Sequence, residues 1–102
     1  MHPLIEEKLP ALREICRHHH VARLALFGSA VGERFDPVRS DLDFLVEYLP
    51  TREAMTLSAY FDLKSALERL FGRGVDLVER AAVRNPYFRE ELEQTQVQVY
   101  AA

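Results

Sequence analysis

Three apolar runs, at residues 21–27, 41–48 and 74–79, dominate the chain, and the segments between them decide how they can pair. Between the second and third runs, Leu57, Tyr60, Leu63, Leu67 and Leu70 recur at spacings of three and four. That spacing predicts a long helix with one apolar stripe. A strand, a helix of that length and a strand form a crossover unit, whose strands run parallel and whose connection is right-handed. The first and second runs are joined by a shorter polar connection, which leaves antiparallel pairing open for them.

The remaining elements follow from punctuation. Residues 4–18 read as a helix, with Leu4, Ile5, Leu9, Leu12 and Ile15 at helical spacing and Pro10 either kinking it or delaying its start. Gly28 and Ser29 end the first strand, and a short helix over 30–34 can follow. Thr51 is the candidate N-cap of the long helix, which spans 51 or 52 to 71, and Gly72 or Gly74 is its stop. Asn85 caps a final helix with Pro86 at its first position, running to about Thr95, and 97–100 is extended. With 102 residues, a single domain over 1–102 is expected. The fold class is α/β (α+β): a small mixed sheet with helices mainly on one face.

Composition narrows the functional classes. Thirteen Lys and Arg against 16 Asp and Glu give a formal charge of −3, so no extended nucleic-acid surface is expected. Cys16 is the only cysteine, which excludes an intrachain disulfide and a cysteine-rich zinc site. No apolar run approaches membrane-spanning length, and the N-terminus lacks the charged-then-apolar order of a signal peptide. A cytoplasmic protein is expected.

The chemistry concentrates at Gly28-Ser29 and Ser40-Asp41-Leu42-Asp43. Alternation along a strand projects Asp41 and Asp43 to one face, while Leu42, Phe44 and Val46 anchor the other. Two carboxylates so close repel each other unless a cation lies between them. Hard oxygen donors suit Mg²⁺, which shares its sites with substrate phosphates. Asp76 sits in a similar strand frame, and three converging carboxylates can hold one or two metal ions. Gly28 allows close backbone approach to a ligand, and Ser29 can donate to phosphate oxygens. Ser40 is placed to brace the turn that presents Asp41. Arg34 and Arg39 lie on the same connection and read either as triphosphate contacts or as surface charge. The candidate catalytic and metal-binding residues are therefore Asp41, Asp43 and Asp76. The candidate phosphate-binding residues are Gly28, Ser29, Ser40, Arg34 and Arg39.

Other conspicuous residues read as architecture. His18, His19 and His20 diverge on a helix and suit the cation-favouring end of its dipole rather than one metal ion. Cys16 reads as a small core filler, Tyr60 and Phe61 as core, and Arg89-Glu90-Glu91 as a solvated face.

At Gly28-Ser29 and Ser40-Asp41-Leu42-Asp43-Phe44-Leu45-Val46, the chain resembles the minimal nucleotidyltransferases of the DNA polymerase β-like superfamily. The likeness continues through Val75-Asp76-Leu77-Val78, Asn85-Pro86-Tyr87 and Val99-Tyr100. The resemblance implies a nucleotidyltransferase fold and transfer of a nucleoside monophosphate from ATP or another nucleoside triphosphate with Mg²⁺. It matches Asp41 and Asp43 to the first two metal ligands, Asp76 to the third acid, and Gly28 and Ser29 to the triphosphate turn. It also implies an antitoxin that attaches AMP to a HEPN-domain toxin. The alternatives are a non-catalytic antitoxin acting by occlusion and transfer to a small molecule or RNA end. The chain departs from the family in having Val31-Gly32-Glu33-Arg34 where an Arg-Gly pair often follows Gly-Ser, so Arg34 is the candidate replacement.

Overall fold

The computed structural model describes residues 1–32 and 35–102. Two helices, α1 (Pro3–Glu6) and α2 (Leu9–His18), precede strand β1 (Val21–Phe27). Strand β2 (Leu42–Tyr48), helix α3 (Leu57–Phe71) and strand β3 (Val75–Glu79) form the crossover, and helix α4 (Pro86–Thr95) and strand β4 (Val97–Ala101) close the chain. The sheet order is β3-β2-β1-β4. β2 and β3 are parallel, whereas β1 pairs antiparallel with both β2 and β4. The mixed sheet expected from the connection lengths is therefore present. No helix among the described residues is long and apolar enough to cross a membrane.

Alternation sorts the strand side chains into two faces. Leu24, Leu26, Leu42, Phe44, Val46, Val75 and Leu77 turn to one face and pack with Ile5, Leu12, Cys16, Leu63 and Leu67. Ala25 and Leu45 turn to the other, where Val83 and Leu92 cover them. Helices thus lie mainly on one face, as expected, with α4 alone on the second.

Local chemistry moves two helix starts. The N-terminal helix breaks between Glu6 and Leu9, and Pro10 falls in the first turn of α2, where its missing N–H costs nothing. The long helix begins at Leu57, with Thr56 rather than Thr51 as its cap: Thr56 Oγ1 accepts from Ala59 N at 3.0 Å. Thr51 Oγ1 accepts from Ala54 N instead and caps a 3₁₀ turn over Glu53–Met55. That offset leaves Leu57 73% exposed and Phe61 52% exposed, so Phe61 is not core. Gly72 ends α3 in the left-handed region, with φ 63°. Asn85 Oδ1 accepts from Tyr87 N and Phe88 N, which starts α4 where the sequence places it.

Side chains occupy β3's outer edge. Glu68 Oε2 accepts from Val75 N at 3.3 Å, and the Tyr60 hydroxyl donates to Leu77 O at 2.6 Å. The Tyr60 ring meets Phe61 edge-on.

Candidate active site

The parallel β2–β3 register sets Asp43 directly opposite Asp76. Both belong to the sheet face that carries Leu45 and Val78, so the apolar residues between them are committed to the opposite core. Asp43 is half-buried and Asp76 exposed. Burial foremost, then a hydrogen bond with Asp76 and the charges of Asp76 and Asp41, together push the Asp43 carboxyl up to about 6. Such a pair is unfavourable as two bare anions and favourable around a proton or a cation.

Asp41 stands one residue before β2 and is exposed. Its Oδ1 lies over Gly74, where an added Cβ would be only 2.7 Å away. Leu42 N also donates to Gly74 O at 3.1 Å, so the heads of β2 and β3 are stitched together beside the acids. Gly74 reads from sequence as a helix stop; its contact with Asp41 carries no signature in the sequence.

Gly28 approaches from β1, whose Phe27 is in register with Asp43. Its φ of 72° suits glycine, and an added Cβ would lie 2.3 Å from Asp43 Oδ2. Ser29 follows in a 3₁₀ turn over Gly28–Val31, and the fully buried Ala30 pins that turn to the core; the short helix expected over 30–34 falls partly on residues 33 and 34, outside the described residues. Ser40 braces its turn as expected: Ser40 Oγ accepts from Asp36 N, and Ser40 N donates to Asp36 O, both at 2.9 Å. Arg39 is exposed on that turn, its N–H donating to Asp36 Oδ1. Arg34 lies outside the described residues.

The structure therefore brings Asp43, Asp76 and Gly28 together, with Asp41 alongside and Ser40 behind it. Among the described residues, no three His, Cys, Asp or Glu side chains form a preformed metal cage. The donor set nevertheless fits Mg²⁺: it is all hard oxygen, and Asp43 stands among like charges that disfavour its anion without a cation nearby. A hollow of about 860 Å³ opens at the far end of β2, beside Tyr48, Met55, Leu57 and Tyr60. Its lining is largely apolar and contains none of the three aspartates.

The sequence pattern of the nucleotidyltransferase domain matches residues 9–97. The chain belongs to the nucleotidyltransferase family. Two relatives of this nucleotidyltransferase from Methanocaldococcus jannaschii are each described as a "putative protein adenylyltransferase". One is 33% identical over 100 residues, covering 89% of this chain and 97% of its own. The other is 33% identical over 97 residues, covering 86% and 94%. A solved structure described as a "putative minimal nucleotidyltransferase" superimposes with a TM-score of 0.75 at 31% identity, covering 91% of this chain and 90% of that one. A toxin–antitoxin complex with AMP-PNP contains a chain of the same fold, with a TM-score of 0.70 at 20% identity and coverage of 92% and 73%.

Proposed function

We propose that this nucleotidyltransferase uses Mg²⁺ to transfer AMP from ATP to a hydroxyl group of a partner protein, a HEPN-domain toxin. The carrying observation is the Asp43–Asp76 pair facing across parallel strands, with Gly28 directly beneath Asp43. The descriptions of the Methanocaldococcus jannaschii relatives support adenylyl transfer to protein. A HEPN toxin in complex with a minimal nucleotidyltransferase antitoxin, from Shewanella oneidensis, supports the partner class; the matched chain shares this fold at 17% identity and a TM-score of 0.67.

In this reading the acceptor oxygen attacks the α-phosphorus of ATP. The bond from that phosphorus to the bridging oxygen breaks, and pyrophosphate leaves with the electron pair. Asp76 takes the proton of the acceptor hydroxyl, a role that its exposure supports. Asp43 and Asp41 would hold Mg²⁺, which when bound would neutralise charge on the triphosphate oxygens. Gly28 and Ser29 bring backbone and hydroxyl donors to the same phosphates. Arg39 and Arg34 remain candidate triphosphate contacts from the loop. A solvent-open acid site suits a macromolecular acceptor that covers it on binding.

The test is incubation of the enzyme with labelled ATP, Mg²⁺ and the candidate toxin. Label is expected on the toxin, with loss of at least ~10³-fold in an Asp41→Asn, Asp43→Asn double variant and on chelation of the metal. Undiminished labelling by the double variant would overturn the assignment.

A further inference from the structure

Arg73 takes no part in the chemistry described above, yet it touches the loop that delivers Asp41 at three points. Its Nη1 donates to Ser40 O at 3.2 Å and its Nη2 to Pro37 O at 2.5 Å. Its guanidinium also lies over the Phe35 ring, 5.1 Å from the centroid. Phe35 is buried in the main core, so it gives the guanidinium a fixed platform. Ser40 and Asp41 are consecutive, and so are Arg73 and Gly74, the residue over which the Asp41 carboxylate rests. One side chain thus ties the 36–40 turn to the head of β3, immediately beside the site.

We infer that Arg73 is a positioning residue: its forked donors hold the turn ahead of Asp41 against β3 and so fix where the Asp41 carboxylate stands relative to Asp43 and Asp76. The turn has its own internal closure through Asp36 and Ser40, but that closure does not attach it to the sheet. The attachment is made by Arg73 on one side and by the Leu42 N to Gly74 O bond on the other. A planar guanidinium can serve two carbonyls while stacking on a ring; a lysine ammonium offers charge without that fork. The inference rests on the reading of Asp41 as a metal ligand.

Two measurements test it. In the metal-free protein, hydrogen exchange at the Ser40 and Leu42 amides should rise ~10-fold in Arg73→Gln, the loss of about one charge-assisted bond. Exchange at Leu24, in the centre of β1, should not change. In the transfer reaction, the Mg²⁺ concentration for half-maximal rate should rise ~10-fold, with kcat at saturating Mg²⁺ within ~2-fold of the parent. Arg73→Lys should recover only part of both effects and, as the milder change, serves if Arg73→Gln does not fold. Full recovery by Lys would overturn the inference, since charge alone would then suffice. Unchanged Ser40 and Leu42 exchange in a folded Arg73→Gln protein would also overturn it. Asp41→Asn separates the two claims: if it leaves the Mg²⁺ requirement unaltered, the ligand reading of Asp41 falls, while the exchange data still judge Arg73.

Discussion

One face of the sheet is sealed by α1, α2 and α3 over a continuous cluster that includes Phe44, Leu24, Leu63 and Leu67. The other face has α4 alone, over Ala25, Leu45, Val83 and Leu92. Asp43 and Asp76 stand on the thinly covered face. The same strands therefore do two jobs by alternation: one set of side chains supplies cohesion, and the next residue along supplies chemistry. Covering the second face as thickly as the first would bury both carboxylates, and partial burial already disfavours the charged form of Asp43.

The largest expected difference between the faces is in stability. Phe44→Ala should cost about 4 kcal/mol and Leu92→Ala about 2 kcal/mol in urea unfolding. Equal costs would erase the distinction between a load-carrying face and a working one. Gly28→Ala sharpens the point at the border between them. Positive φ and the clash with Asp43 Oδ2 should cost about 2 kcal/mol, and the displaced carboxylate should depress transfer as well. Gly32→Ala is the control, since nothing among the described residues lies within 4 Å of its Cβ position; it should stay within about 0.5 kcal/mol.

The smallest effect concerns charge and has the opposite sign. Asp43 has a folded pKa of about 6, raised from 3.8, so the stability linked to its neutral form is complete below pH 3.8. It is lost as pH rises through about 6. Asp43→Asn should therefore stabilise the metal-free protein by about 1 kcal/mol at pH 7.5, after allowance for partial exposure, and by almost nothing at pH 3.5. Thermal unfolding of both proteins at the two pH values checks this. A variant that gains stability while losing transfer would show that the open face carries strain for the sake of function.

The elements with chemical punctuation at their ends were legible in the sequence. Gly28 stops β1, and Asn85-Pro86 starts α4, because each residue's backbone preference is local. Alternation was enough to put Asp43 and Asp76 on one face once the crossover made β2 and β3 parallel. Local reasoning failed where two choices were chemically equivalent. Thr51 and Thr56 can both cap, and the 3₁₀ turn between them decided which begins α3. The stripe through Leu57 then overran the core, because periodicity does not show where a neighbouring strand ends. Arg73 between Gly72 and Gly74 looks like an ordinary charge at a helix end; its role depends on Ser40 and Pro37, more than thirty residues away in the chain. Gly74 was hidden for the same reason.

Glu68 and Tyr60 have a consequence beyond holding α3 to β3. By engaging Val75 N and Leu77 O, they withdraw two of the outward backbone groups with which an incoming extended peptide would pair along that border. Growth of the sheet by stacking further copies there is discouraged without a proline or a bulge. A Glu68→Ala, Tyr60→Phe protein would expose that border and should form concentration-dependent polymers, visible by light scattering, while the parent stays dispersed.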